Sequence, residues 1–361
     1  MATTQLLQGS AVSLSKLSVS PRFQALVAAT LAVAMATYFW IDSRYPALLK
    51  KLHSGKAIHV SGSLSFDALI PVTSNMPFWT RVFYTAVDWA WTNRIGMTFG
   101  ICFGAAMLTL LAYVPRRRFS NAYGNTLLGA LMGTPLGVCA NCVAPIGQGL
   151  LQGGASPATM LATMISSPML NVVVLVMALT LLPLPMAIVR LAAPLLLLAI
   201  VPMLVGKSRS RREPVVCTFE AGPTRSAAAV AKAYLKNLAR LALTTLPWMV
   251  VAGLLGAILV QLIPAQNLPA QFSIVGILVV ALLGTFAPVP IAFDVAIGWI
   301  LLSRGVPAPY VATLVCTLGA FSIYPFFLVG RNLSWRVAAL VFAAVATVGV
   351  LGGVATALLS I

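Results

Sequence analysis

Long apolar runs alternate with short polar segments along most of the 361-residue chain. Many of these runs come close to the roughly 20 residues that a helix needs to cross the hydrocarbon core of a bilayer. The pattern therefore predicts an all-α polytopic membrane protein with about seven full spans. The predicted spans cover residues 23–41, 95–114, 157–181, 184–206, 241–262, 308–329 and 336–358.

Two further apolar stretches, residues 122–155 and 272–305, are interrupted by many glycines and prolines. A spanning helix rarely carries so many helix breakers, and non-helical backbone at membrane depth is tolerated only inside protein or beside a water-filled cavity. We therefore predict two broken or re-entrant helical hairpins in addition to the spans. The tip of the first hairpin is predicted between Pro135 and Pro145.

The two broken stretches align when the sequence is shifted by 151 residues. Gly133-Thr134 then falls on Gly284-Thr285, and Ile146-Gly147 falls on Ile297-Gly298. Each half also has the same order of elements, namely a span, a broken hairpin and two further spans. We interpret this order as a pair of inverted-topology repeats, in which a solute binds near the membrane midplane where the broken elements meet.

The repeats divide the chain into four parts. These are an N-terminal span with an interfacial segment (1–93), the first repeat (94–206), a cytoplasmic linker (207–240) and the second repeat (241–361). The polar segment at residues 42–93 contains His53, His59 and three tryptophans. The tryptophans, Trp79, Trp89 and Trp91, predict a helix that lies at the membrane interface.

Composition argues against a soluble protein. Only 8% of the residues are charged and 60% are hydrophobic, whereas a soluble domain carries about 25% charged residues. The net charge of +17 is concentrated in short basic clusters such as residues 116–118 and 207–212, as expected for cytoplasmic segments. We therefore expect a multi-pass inner-membrane protein whose N-terminus and 207–240 linker are cytoplasmic. Aromatic residues do not interleave with the basic clusters, so a nucleic-acid partner is not expected.

Cys139-Ala140-Asn141-Cys142 is the sharpest local motif, because it lies at the predicted hairpin tip. Two thiolates at this spacing can bind one soft metal or metalloid, and the positive end of the following half-helix favours an anion. We predict that Cys139, Asn141 and Cys142 bind the solute. The alternative is that the two cysteines are small packing residues, since free cysteine is commonly buried.

Asp294 differs from the other five acidic residues in lying within an apolar stretch. A charged carboxyl at membrane depth costs about 2.5–3.5 kcal/mol on insertion scales, so we expect it to be neutral or paired. Asp294 could couple transport to protons, or it could serve as a structural partner for a helix N-terminus or an arginine. Arg190 is the candidate partner, although its position near the end of a span favours snorkelling to the interface.

A run of short motifs surrounds and follows the first hairpin tip. It comprises Thr134-Pro135, Cys139, Cys142, Pro145, Gly149-Leu150-Leu151, Gly154, Ser166-Ser167-Pro168 and Asn171. The run resembles a predicted-permease family that includes the organoarsenical efflux permeases (ArsP-type). That family has Cys-Ser-Cys close to the proline where this chain has Cys-Ala-Asn-Cys, and Ser322 stands where an asparagine would be expected.

The resemblance implies a thiophilic solute and a binding site that includes the polar residues of these motifs. We add Pro145, Ser166, Ser167, Asn171 and Ser322 to the predicted site, although buried hydroxyls and amides could instead join helices. The prediction is a secondary transporter without enzymatic activity or cofactor, for a trivalent organoarsenical or a small sulfur-containing anion. A nucleotide-binding loop of the G-x-x-x-x-G-K-[ST] type is missing.

Two alternatives stay open at this point. The first is a membrane thiol–disulfide oxidoreductase, which would need a second thiol within reach of the motif, with Cys102 and Cys316 as candidates. The second is a membrane subunit that does not itself transport. The sequence leaves the identity of the solute, the direction of transport, the coupling ion and the oligomeric state undetermined.

Overall fold

The computed structural model describes residues 21–54, 70–73, 75–114, 119–205, 227–262 and 273–359. The basic clusters at 116–118 and 207–212, together with Cys217 and His59, lie outside the described residues. The orientation in the membrane and the cytoplasmic N-terminus and linker therefore stay predictions.

Within these ranges every regular element is a helix. The α-helices are α1 (Pro21–Phe39), α2 (Tyr45–Ser54), α3 (Phe78–Tyr113), α4 (Ala122–Gly133), α5 (Ala140–Gln152), α6 (Pro157–Met169), α7 (Val172–Leu181), α8 (Leu184–Val205), α9 (Ala227–Leu262), α10 (Ile274–Phe286), α11 (Phe293–Ser303), α12 (Ala308–Thr317), α13 (Ile323–Asn332) and α14 (Trp335–Leu358). A π-helical turn (Trp40–Arg44) joins α1 to α2, and a 3₁₀ turn (Thr134–Leu136) follows α4.

Five of the described helical segments are long and apolar enough to cross a membrane without a break. They are Arg22–Leu49, α3, α8, α9 and α14. The pair α6 and α7 forms a sixth candidate span, bent by 42° at the short break between its two helices. The prediction of an all-α polytopic membrane protein in a lipid bilayer is confirmed.

The predicted spans at 157–181 and 308–329 are not continuous helices. The first divides into α6 and α7 because the side chain of Asn171 accepts a hydrogen bond from the N–H of Val174 at 3.1 Å and so caps a new helix. The second divides into α12 and α13 at a turn where Gly319 has a φ of 82°, a conformation that glycine adopts without a steric penalty. Hydropathy does not register such breaks, because a cap or a glycine hardly changes the mean hydropathy of the run.

The long α3 begins at Phe78, before the predicted boundary at residues 93 and 94. Trp79 and Trp91 are exposed, but Trp89 is buried and its indole N–H donates to the carbonyl of Pro288 at 2.8 Å. The predicted interfacial helix is therefore in part the first half of α3. Similarly, α9 begins inside the predicted 207–240 linker, at Ala227.

The helices of the two halves correspond at a constant offset of 151 residues. Shifted by that offset, α7 covers the same residues as α13, and α6 and α8 begin where α12 and α14 begin. Gly154 and Gly305, which the offset pairs, both have positive φ, at 96° and 79°. The duplication is therefore present in the backbone.

The two halves run in opposite directions. Between α3 and α9, hydrogen bonds join Thr109 to Asn237 at 2.9 Å and Thr85 to Gln261 at 3.2 Å. The late part of one helix therefore lies beside the early part of the other, so the two equivalent helices are antiparallel. In this arrangement α5 is the equivalent of α11, and α7 is the equivalent of α13. The contact of α5 with α13 is therefore matched by a contact of α7 with α11.

Candidate functional site

The first hairpin consists of α4, the 3₁₀ turn and α5. Pro135 in the 3₁₀ turn has no N–H with which to continue α4, and Gly137 then adopts a φ of 60° that redirects the chain. Cys139 caps α5, and its sulfur accepts a hydrogen bond from the N–H of Cys142 at 3.2 Å. The cysteine motif therefore begins a helix at the tip of a broken hairpin.

Cys139 and Cys142 are joined by a disulfide bond, and each is no more than 3% exposed. Asn93 of α3 lies beside them, with its Oδ1 3.7 Å from the sulfur of Cys139. Two sulfurs placed this closely can bind each other or one shared soft atom. Because a disulfide contains no thiolate, binding of a soft atom requires that the pair first be reduced.

Two contacts hold the backbone of this tip in place. The hydroxyl of Ser167 accepts a hydrogen bond from the N–H of Val138 and lies equally close to its carbonyl, at 3.3 Å in each case. The indole N–H of Trp40 donates to the carbonyl of Pro135 at 2.6 Å. Ser167, which the sequence suggested as a solute ligand, thus positions the tip backbone in this structure.

Asn141 and Ser322 join the two halves at the first tip. The hydroxyl of Ser322 donates to Oδ1 of Asn141 at 2.7 Å, and both side chains are buried. Nδ2 of Asn141 is also buried and has no hydrogen-bond partner among the described residues. Because an unbonded buried amide group costs about 1–3 kcal/mol, a ligand that accepts a hydrogen bond from Nδ2 would be stabilised there.

Three other residues of the predicted site are engaged with neighbouring backbone. The amide of Asn171 donates to two carbonyls at the end of α6 and caps α7, so both of its polar atoms are used. The hydroxyl of Ser166 lies 3.5 Å from the carbonyl of Thr163. Pro145 lies within α5, where its carbonyl faces Gly104 of α3. Direct contact of these three residues with a solute stays a prediction.

The second hairpin, formed by α10 and α11, has a tip at residues 287–292. Its last residue, Ala292, has a φ of 62°, which costs a residue with a Cβ about 1–2 kcal/mol. The hydrogen bond from Trp89 of α3 to Pro288 secures this tip to the first half. The two tips therefore differ in chemistry, with a cysteine pair at the first and the carboxyl of Asp294 close to the second.

Asp294 forms a buried ion pair with Arg190. Nε and Nη2 of Arg190 both donate to Oδ2 of Asp294, at 3.0 and 2.8 Å, and neither side chain is more than 4% exposed. Of the two interpretations of Arg190, the structure shows the pairing with Asp294 and not the snorkelling to the interface, because a carboxylate inside the protein compensates its charge. The pair links α8 of the first half to α11 of the second.

The carboxyl and the two sulfurs are separate features of the described structure. Among the described residues, no hydrogen bond or ion pair joins Asp294 to the first tip, although the repeat suggested that the two tips face each other. The same residues contain no cluster of three or more His, Cys, Asp or Glu side chains suited to a metal ion. Cys139 and Cys142 therefore stay the predicted ligands of a soft metal or metalloid.

A cavity of about 470 Å³ lies between the first helix and the first hairpin. Its lining is almost entirely apolar and includes Trp40, Phe99, Phe103, Pro135 and Leu136. The volume is in the range of small-molecule sites. The cavity therefore offers space for the apolar part of a solute close to the hairpin tip.

Sequence reasoning missed two residues that shape this site. Asn93 carried a usable signal, because it is a polar residue just before the apolar run predicted to begin at 95. Trp40 carried none, since an aromatic residue at the end of a span is expected at any membrane interface. Only tertiary packing brings Trp40 to the hairpin.

No family model and no solved structure matches the chain. The chain is similar to the UPF0718 protein YraQ of Escherichia coli. The two proteins are 25% identical over 257 residues, which cover 70% of this chain and 74% of YraQ. The name of YraQ states neither a solute nor a reaction. The similarity therefore supports a common architecture over most of both chains, and it does not extend to arsenical specificity.

Proposed function

We propose that this chain is a membrane permease, a secondary transporter that moves a small solute between its two inverted halves. The hydrogen bond between Ser322 and Asn141 carries the proposal, because it joins a hairpin tip of one half to a helix break of the other. Inverted-repeat transporters bind their solutes where such broken elements meet. The similarity to YraQ over most of both chains supports the same class.

We further propose that the solute is thiophilic, either a trivalent organoarsenical or a small sulfur-containing anion, and that reduced Cys139 and Cys142 bind it. A trivalent methylarsenical carries two hydroxyl groups on arsenic. As two As–S bonds form, two As–O bonds break, and each thiol proton leaves with a hydroxyl as water. The neighbouring cavity, lined mainly by aromatic and aliphatic side chains, would receive the organic group.

Asp294 is proposed to couple transport to protons. Its carboxylate is paired with Arg190 across the two halves. Protonation of the carboxyl would remove most of the attraction to Arg190 and so loosen α8 from α11. Transport that keeps its full pH dependence in Asp294→Asn would exclude this role.

Flux of trivalent methylarsenical into liposomes tests the binding role of the cysteines. We expect reduced wild-type protein to transport, and we expect Cys139→Ser, Cys142→Ser and oxidised wild type each to lose about tenfold or more of the flux. Cys316→Ser is the matched control, because Cys316 is a buried free cysteine that is not bonded to the pair. Unchanged flux in both serine variants would remove the thiol-binding role.

The disulfide between Cys139 and Cys142 favours a second candidate, a membrane thiol–disulfide oxidoreductase. In that reaction a dithiol donor on one side would reduce the pair with two electrons and two protons. The reduced pair would then reduce a disulfide acceptor on the other side. Exchange of disulfide state across the liposome membrane without any solute flux would favour this function over the permease.

A further inference from the structure

Arg44 is a cation beside the first hairpin tip that the proposed function does not yet explain. It ends the π-helical turn that joins α1 to α2, and such turns occur frequently at functional sites. Nε of Arg44 is buried, and within the described part of the chain it has no hydrogen-bond partner and Arg44 forms no ion pair. Because a guanidinium keeps its charge in such surroundings, an anion would be stabilised next to it.

Aromatic packing fixes the position of this guanidinium. The guanidinium carbon of Arg44 lies 4.6 Å from the ring centre of Phe39. Phe39 in turn stacks on Phe99 of α3, with ring centres 3.9 Å apart. The guanidinium is therefore packed against a stacked aromatic pair, which restricts the rotamers of Arg44.

Two glycines place Arg44 next to the cysteine pair. A Cβ built on Gly137 at the hairpin tip would lie 3.8 Å from Nε of Arg44. A Cβ built on Gly96 of α3 would lie 3.9 Å from Nη2 of Arg44 and 2.8 Å from the sulfur of Cys142. The guanidinium and this sulfur therefore flank the same glycine, where the missing side chain leaves room.

The start of α5 adds further hydrogen-bond donors at the same tip. The first N–H groups of a helix have no partner within the helix and carry partial positive charge. In α5 the N–H of Cys142 is bonded to the sulfur of Cys139, so the N–H groups that precede Cys142 are the ones that can face an anion. Nδ2 of Asn141, in the first turn of α5, is buried and meets no hydrogen-bond partner in the described ranges. Two unpartnered buried donors, on Arg44 and on Asn141, thus accompany the helix terminus.

We propose that Arg44 and the start of α5 bind an anionic group, so that the solute is an anion whose soft sulfur or arsenic atom reaches Cys139 and Cys142. This inference rests on the proposed function and narrows its solute class to anions, so that the neutral methylarsenical of the flux assay engages only the cysteine part of the site. A carboxylate, sulfonate or similar oxyanion matches the donor geometry of a guanidinium. The phosphate of a lipid headgroup shares that chemistry, so the experiment must separate the two sources.

Thiol reactivity at the reduced pair tests the anion site without any need for transport. Purified protein is reduced and then reacted with a neutral methanethiosulfonate or with its anionic sulfonatoethyl analogue. The attacked thiol forms a mixed disulfide and releases methanesulfinate, and the neighbouring thiol then displaces the attached thiol and restores the disulfide between Cys139 and Cys142. Mass spectrometry after quenching and alkylation follows the loss of the free dithiol peptide. In Arg44→Gln we expect the ratio of anionic to neutral rates to fall about tenfold relative to wild type.

Two control variants make the result specific. Arg44→Lys keeps the charge and is expected to keep most of the ratio. Arg22→Gln removes an exposed cation at the opposite end of α1 and is expected to leave the ratio unchanged. An equal ratio in wild type and Arg44→Gln would overturn the proposal, and so would a fall of the same size in Arg22→Gln.

Bilayer composition separates a solute anion from a lipid headgroup. The rates are measured in nanodiscs of phosphatidylcholine alone and in nanodiscs that also contain phosphatidylglycerol. Because the negative surface potential of phosphatidylglycerol repels the anionic reagent from every variant alike, the wild-type ratio is divided by the Arg44→Gln ratio in the same nanodiscs. A solute site predicts the same quotient in both bilayers, whereas a quotient that falls to one with phosphatidylglycerol would assign Arg44 to lipid and overturn the solute site. If the ratio of anionic to neutral rates falls in Arg44→Gln but liposomes show no solute flux, the permease is refuted and the anion site is not.

Discussion

The buried ion pair between Arg190 and Asp294 leads to a prediction about stability. The perturbations are Asp294→Leu and Arg190→Met, made singly and together in a double variant. Nε and Nη2 of Arg190 both donate to the same carboxylate oxygen of Asp294, at 3.0 and 2.8 Å, and both side chains are almost fully buried. Each single change therefore leaves a charge in the interior without its partner.

The magnitude follows from that burial. Removing one partner of a buried pair costs about 3–5 kcal/mol, whereas replacing both with apolar residues is often neutral or stabilising. We therefore expect each single variant to lose about 3–5 kcal/mol and the double variant to recover most of that loss. An exposed pair would contribute only about 0–1 kcal/mol, so the two cases are clearly separated.

Denaturant unfolding of the purified protein in detergent, combined in a double-mutant cycle, measures the coupling. Arg304→Met serves as the control, because Arg304 is an exposed cation in the same half as Asp294 and should change stability by less than about 0.5 kcal/mol. Single variants within about 1 kcal/mol of wild type would refute the reasoning. Single effects that simply add in the double variant would refute it as well.

Three further predictions concern packing, the second tip and topology. Gly149→Ala should destabilise the protein by about 1–3 kcal/mol, because its new methyl group would collide with the backbone carbonyl of Gly104. Gly124→Ala, whose methyl group would meet the exposed side chain of Phe119, should unfold at nearly the wild-type temperature. Trp89→Phe should leave the carbonyl of Pro288 unpaired and speed hydrogen exchange at residues 287–292, and unchanged exchange there would contradict the bond. A cysteine introduced at residues 207–212 should resist a membrane-impermeant reagent added outside whole cells, and ready labelling would reverse the predicted orientation.

Several features of this fold could be predicted from the sequence because they depend on local composition. Apolar runs of membrane-spanning length required helices across a bilayer. The breakers around Pro135 required a broken element, and the structure has a 3₁₀ turn and a left-handed Gly137 there. The offset of 151 residues that aligns Gly133 with Gly284 in the sequence also relates the helix bounds of the two halves in the structure.

Other features were predicted wrongly because they depend on contacts distant in sequence. The start of α3 was placed too late, since Trp89 is covered by the second hairpin and not by lipid. For Arg190, snorkelling was favoured over the pairing with Asp294, since that partner is 104 residues away in the chain. Hydropathy treats each polar residue as though it faced lipid or water, and it cannot register a partner supplied by another helix.

By itself the sequence determined that this chain is a helical membrane protein with a duplicated, broken architecture and a cysteine pair at a hairpin tip. Only the tertiary structure decided which polar groups meet inside the bundle. It pairs Asp294 with Arg190, joins Asn141 to Ser322 across the halves, and brings Arg44 of the first helix next to Cys142. The physical reason is that spans and breaks follow from the free energy of transfer along the chain, whereas buried polar contacts arise only when separate helices pack and exclude both water and lipid.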